Sequence, residues 1–386
     1  MTETPYNQAL LDDLLERNGI DVALATTKHN IQHLLGGYRY FFFALADATG
    51  TSRYLPALGL VRGRPEQAFY IGAGNEDWGT EDGSVLVPDI QNVSWTSLDT
   101  ARAAAAALQA RGLETATIGV EKSFIPADAL DTMRELLPAA NFVEVHPVLE
   151  TMRAVKSPQE LEHIRYASVA IVESMQAAFR DAQPGMTKRD IAEIFRRDQT
   201  ARGLFYEYAL VTIGGSMNRS PSEDTWQSGT TLSLDSGGMY QGYIGDLSRM
   251  GIDTEPTSRM VKLLGQVEEA QQLARTVVRS GRRGGDIYST VLEAIPKLPN
   301  GSAMKFVAHG MGLITHESPR LTSTGPVPYP ATHRDDPLQA GMVLSIEAWF
   351  EDHEAGFIKM EDTLIVTDDG WEAPGDDARG WNHVGS

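Results

Sequence analysis

Two stretches of this chain alternate like β-hairpins yet carry acids where a buried hairpin should avoid them, and no other feature limits the fold so tightly. In LSLDSGGMYQGYIGDLSRM (Leu232 to Met250), Leu232 and Leu234 alternate with Ser233 and Asp235. Gly237-Gly238 interrupts the run, and extended character resumes at Tyr243. A turn centred between Tyr240 and Gln241 sets Asp235 opposite Asp246. In GMVLSIEAWFEDHEAGFIKMEDTLIV (Gly341 to Val366), two alternating runs flank a polar turn, and a turn centred on Glu354 sets Glu347 opposite Glu361. Side chains facing each other across a ladder have Cβ atoms roughly 4.5–5.5 Å apart, where like charges cost up to about 1 kcal/mol. Two such clashes need a compensating charge. Four carboxylates carry −4, which two divalent cations cancel, and His309 adds a nitrogen ligand. The expected metal ligands are therefore Asp235, Asp246, His309, Glu347 and Glu361.

The composition narrows the chemistry. With no cysteine among 386 residues there is neither a disulfide framework nor a thiolate site, so the metal is held by oxygen and imidazole. Such donors favour Mn, Co or Zn over copper or iron–sulfur chemistry. A net charge of −19 argues against the basic surface that a nucleic-acid partner requires, and it favours a soluble protein with a small, neutral or cationic substrate. The first 20 residues, MTETPYNQALLDDLLERNGI, are acidic and amphipathic rather than basic and then apolar, and no run of 18 apolar residues occurs. No signal peptide and no membrane span are expected, and a cytoplasmic location follows as the default.

Along residues 1–150 helical and extended patterns alternate. A helix is expected at Pro5 to Arg17, and strands at Asp21 to Thr26, Leu55 to Val61 and Gln67 to Ile71. An alanine-rich helix at Asp99 to Arg111 precedes a strand at Ala116 to Glu121, a helix at Ala127 to Leu137 and a strand at Phe142 to His146. This is an α/β domain. From residue 151 the pattern changes. Ser157-Pro158-Gln159-Glu160 is a capping box with proline at the first helical position, which starts a helix running to about Asp181. Thr187-Lys188-Arg189-Asp190 starts another, and helices follow at Glu255 to Arg279 and Gly285 to Ile295. Residues 151–386 thus read as an α+β domain, with helices over an antiparallel sheet that carries both hairpins.

These residues resemble the creatinase, prolidase and aminopeptidase P family of M24 "pita-bread" metallopeptidases. The likeness rests on Asp235-Ser-Gly-Gly-Met-Tyr-Gln-Gly242-Tyr243-Ile-Gly-Asp246, on His309-Gly-Met-Gly-Leu-Ile-Thr-His316-Glu317, and on Glu347 with Lys359-Met-Glu361-Asp362. MRAVKSPQELEHIRYAS (Met152 to Ser168) is similar to the family's domain junction. The resemblance implies a creatinase-like N-terminal domain, a catalytic pita-bread domain with a curved sheet, a dinuclear metal centre and a homodimer. It also implies hydrolysis of a C–N bond, in an Xaa-Pro-type peptide or a small amide, by a metal-bridging hydroxide. Glu347 then moves the proton, and His316 is a catalytic, substrate-facing histidine.

Three departures bear on the substrate. The family's upstream histidine is missing from Asn218 to Glu223, where Arg219 is expected to hold an anionic substrate group. Lys359 replaces an arginine, keeping its charge but losing its rigid fork, and is expected at the substrate. Ala348 replaces the proline after Glu347. In GGYRYFFFA (Gly36 to Ala44), five aromatic residues occupy six positions, which reads as a buried strand or as Tyr38, Arg39 or Tyr40 capping a neighbouring subunit's site. Tyr40 is taken as a substrate contact. Trp349 and Phe350 read as a wall of the pocket or as core. Two other functions fit the same fold: a lyase acting on a small molecule such as dimethylsulfoniopropionate, and a metal-free binding module.

Overall fold

A computed structural model describes residues 4–40, 54–80, 83, 85–323 and 330–385. The chain divides into two compact units, Met1–Arg153 and Ala154–Ser386.

The first unit is built on a six-stranded sheet. Its strands are β1 (Val22–Ala25), β2 (Ala57–Val61), β3 (Phe69–Ala73), β4 (Asp89–Ser94), β5 (Thr117–Val120) and β6 (Asn141–Glu144), in the order β4-β3-β2-β1-β5-β6. Successive residues of β1 serve two separate cores. Ala23 and Ala25 pack with Leu11 and Leu15 of the helix Gln8–Arg17, whereas Val22 and Leu24 pack with Ala101, Ala104 and Leu108 of the helix Ser97–Gln109. A strand buried on both faces reads as a continuous apolar run, as VALA does. The helix Ser97–Gln109 begins two residues before its expected start, because Thr96 and Asp99 form a capping box.

The second unit holds β7 (Phe205–Ile213), β8 (Leu232–Tyr240), β9 (Tyr243–Ile252), β10 (Lys305–Gly310), β11 (Val343–Asp352) and β12 (Gly356–Val366), in the order β10-β11-β12-β9-β8-β7. Neighbours along this path are antiparallel. The helix Pro158–Asp181 starts at the expected Ser157–Glu160 capping box and packs on β8 and β9. The helix Ser258–Arg275 packs on β11 and β12, where Leu344, Ile346, Ala348 and Phe350 meet Leu263, Val267 and Ala270. These strand residues are even-numbered. By alternation, the odd-numbered Glu347 and Glu361 point to the opposite face. The α/β and α+β classes expected from sequence are both present.

The same alternation separates Trp349 from Phe350. Phe350 belongs to the helix-covered core and cannot line a pocket beside Glu347, whereas Trp349 shares the face of Glu347. Tyr40 is likewise interior to the first unit. It is 4% exposed, donates its hydroxyl to Asn75 Oδ1 at 2.5 Å and meets the Tyr54 ring edge-on. It is not part of a strand, and its burial removes it as a cap over a neighbouring subunit's site. Phe41 to Ala44 lie outside the described residues.

Candidate metal centre

Each expected ligand comes from its own strand: Asp235 from β8, Asp246 from β9, His309 from β10, Glu347 from β11 and Glu361 from β12. Strand register does the assembly. Glu347 lies opposite Glu361, as the second hairpin predicted; on their outer sides Glu347 lies opposite Val307 and Glu361 opposite Ser248.

The first hairpin has a different register from the one expected. Its turn residues are Gln241 and Gly242, with φ of 52° and 86°, so Asp235 faces Ser248 and Asp246 faces Gly237. A two-residue turn of this hand needs positive φ at both central positions, and Gly242 supplies one without steric cost. A centre between Tyr240 and Gln241 would put two residues with side chains there. Moving the centre by one residue slides the register by two, which keeps both aspartates on one face. They are diagonal neighbours rather than a facing pair.

Asp246, His309 and Glu361 are buried and each offers a ligand atom within 4.8 Å of the others. A proton on His309 Nδ1 can be donated to Gly310 O at 3.3 Å, which leaves Nε2, 3.8 Å from Glu361 Oε1, free to meet a cation. Two carboxylates and one imidazole suit a divalent metal ion, so the residues fit the group that the sequence implies. Burial, then the charges of Glu361 and Asp235, push the Asp246 carboxyl well above its ordinary range.

Asp235 and Glu347 stand beside this triad and share a different partner. Lys359, 3% exposed, places Nζ 2.6 Å from Asp235 Oδ2, 2.5 Å from Glu347 Oε2 and 2.7 Å from Glu361 Oε2. Burial alone would pull this ammonium down, but Asp235, Glu347 and Glu361 hold it well above its ordinary value. Burial works against ionisation of Glu361 too, yet Lys359 and His309 keep it below the usual carboxylate range. Glu347 is shifted upward by burial, with Lys359 opposing the shift. Arg219 pairs with Asp235 and lies over the Phe357 ring. Lys359 is thus committed to the acids rather than to a substrate carboxylate, and Arg219 spends part of its guanidinium on Asp235.

His316 lies outside any strand, and its ring stacks on His309 with centroids 3.7 Å apart. Burial and the adjacent His309 push it down to about 3, so it is a neutral imidazole at ordinary pH. Glu317 beside it is buried against Lys156 at 3.1 Å.

Two further side chains contact the ligands and were missed from sequence. Tyr208 of β7 donates its hydroxyl to Asp246 Oδ1 at 2.6 Å, and Ser345 of β11 donates to Glu361 Oε1 at 2.7 Å. For Tyr208 a signal exists in Gly237. A Cβ there would sit 2.6 Å from the tyrosine ring, and a glycine inside a strand marks such a close approach.

Four carboxylates and a histidine come from five neighbouring strands of the α+β unit of this α/β and α+β chain, and three of them, Asp246, His309 and Glu361, lie close enough together to hold a metal ion. The description of metallopeptidase family M24 matches residues 162–368, and that of the creatinase/prolidase N-terminal domain matches residues 9–155. The chain belongs to metallopeptidase family M24 and is a metal-dependent hydrolase. It is 24% identical to the Xaa-Pro dipeptidase of Pyrococcus furiosus over 66% of this chain and 72% of that one. It is 23% identical to the putative dipeptidase YkvY of Bacillus subtilis over 92% of this chain and 93% of that one. The crystal structure of a dipeptidase from Pyrococcus horikoshii superposes with a TM-score of 0.79 at 21% identity, covering 97% of this chain and 99% of the other, which shows a shared fold. Among the described residues, no helix is long and apolar enough to cross a membrane.

Proposed function

We propose that this chain hydrolyses the C–N bond of a short peptide, of Xaa-Pro type or a related small amide, using a divalent Mn, Co or Zn ion. The observation that carries this reading is the buried triad of Asp246, His309 and Glu361 with a fourth acid, Glu347, beside it. When bound, the metal lowers the pKa of water and polarises a carbonyl. The remaining work falls to the protein. Glu347 is the most accessible of the four acids, at 8% exposure against 2–4% for the others, so it faces the side from which a substrate arrives. It takes the proton of the attacking water and returns it to the leaving nitrogen. His316, neutral and stacked on His309, donates its N–H to the substrate carbonyl oxygen as charge builds there. Trp349, on the face of Glu347, supplies an apolar wall.

The substrate class is supported by the relatives named as dipeptidases, and the missing histidine between Asn218 and Glu223 weighs toward a specialised small amide within it. The test is an assay of metal-loaded protein with Xaa-Pro dipeptides, other dipeptides and small cyclic or substituted amides, following new amine and its loss on chelation. Amine release that chelator stops is expected. Turnover indifferent to chelator contradicts the proposal, and an alkene formed without new amine would place the chain with the lyases.

A further inference from the structure

We infer that this centre takes a single divalent cation, at Asp246, His309 and Glu361, and that the Lys359 ammonium stands where a second cation would otherwise be needed. The inference rests on the metal-dependent reading above and changes only the number of ions that reading requires.

The geometry around Lys359 is that of a cation site already filled. An ammonium has three N–H donors, and Nζ meets three carboxylates from three strands, each at 2.5–2.7 Å. Glu361 turns its two oxygens to different partners. Oε1 lies on the side of His309 Nε2, at 3.8 Å, while Oε2 accepts from Lys359. Oε1 would therefore be the oxygen available to an ion held with His309 and Asp246, while Oε2 is taken by the ammonium.

Charge supports the same count. Among the described residues Asp235, Asp246, Glu347 and Glu361 pair with two always-basic side chains, Lys359 and Arg219, so four carboxylates set against two cations leave a formal −2 in a buried cluster. One divalent ion neutralises it. Two would leave an excess of +2, and a second ion held by Asp235 and Glu347 would have to compete with the ammonium that already contacts both. Lys359 has no easy route away, because it sits on β12 between β11 and β9, in register with Trp349, and is almost wholly enclosed. Side-chain type matters as well. The resemblance places an arginine here, whose planar fork grips one carboxylate, whereas a compact ammonium can sit among three. Lys359 is therefore a positioning residue: it holds Glu347 and Asp235 while the single metal serves the chemistry.

The test reads metal directly. Manganese-loaded, gel-filtered wild-type protein is expected to carry about one equivalent per chain by elemental analysis and to give the hyperfine spectrum of an isolated Mn(II) ion. Lys359→Met, uncharged and similar in length, is expected to take up a second equivalent, on the order of tenfold or more tighter than any second binding by the wild type. Two tight equivalents or an exchange-coupled signal in the wild type would overturn the inference while leaving metal-dependent hydrolysis standing. A folded Lys359→Met chain that stays at one equivalent would also overturn it. Wild-type protein that binds no metal and turns over in chelator would sink the hydrolase reading itself.

Discussion

Glu361 and Asp362 are neighbours on β12, both buried, and they point into opposite charge environments on the two faces of one sheet. On the helix-covered face, Asp362 meets Arg249 at 2.9 Å, Arg275 at 3.0 Å and Arg379, while Asp376 and Glu268 complete the set. Three arginines balance three carboxylates there. Burial opposes ionisation of Asp362, but Arg249, Arg379 and Arg275 hold its carboxyl below the ordinary range. On the other face, among the described residues, four carboxylates meet Lys359 and Arg219, with His309 beside Glu361. A sheet that neutralises one buried acid so completely shows that the opposite deficit is not forced by the fold. It is the signature of a place kept for a cation.

The largest effect should come from the deficient face. Asp246→Asn is expected to abolish turnover and metal binding while far-UV circular dichroism stays unchanged. Because the change relieves repulsion, the metal-free variant should melt no lower than the metal-free wild type; full metal content and turnover would remove Asp246 from the centre. The balanced face should respond in the opposite sense. Asp362→Ala leaves buried arginines without their shared partner and is expected to cost about 3–5 kcal/mol, a fall in Tm on the order of 10 °C, with or without metal. A fall of only a degree or two would mean that the two faces are not so different.

Smaller effects sharpen the contrast. Tyr208→Phe removes the hydroxyl that Asp246 accepts and should weaken manganese binding roughly tenfold or more, measured by calorimetry, without unfolding the sheet. The smallest concerns pH. His316 is pushed from its ordinary 6.5 to about 3, so the native state favours the neutral ring and the unfolded chain binds the proton more readily. Its stabilising contribution is present above about 6.5 and is lost as pH falls from there toward 3. Metal-free His316→Gln should therefore show a flatter dependence of Tm on pH than the wild type in that window, and equal slopes would place His316 in open solvent.

Much of this was legible in the residues themselves. The Ser157–Glu160 and Thr187–Asp190 capping boxes fixed two helix starts, and the polar EDHEAG turn set Glu347 opposite Glu361, because local chemistry decides both. The first hairpin was harder. Its turn is decided by which residue tolerates positive φ, and one position of error moved Asp246 from Asp235 to Gly237. Tyr208 left only the indirect trace of Gly237, because β7 meets Asp246 from 38 residues away, and Ser345 looked like any polar residue of an alternating strand although it lies in the same hairpin as Glu361. Lys359 was read by type and assigned to a substrate, since nothing in a lysine's neighbours along the chain tells that three distant carboxylates converge on it.

The central claim is that the deficient face is completed by a divalent ion, and thermal melting with and without manganese tests it most directly. At a hundredfold excess over Kd, binding to the native state alone stabilises by about 2.7 kcal/mol, which for a unit of this size raises Tm by roughly 5–10 °C. The expected result is that rise in the wild type and none in Asp246→Asn. An equal rise in both, or no rise in either, would contradict the account.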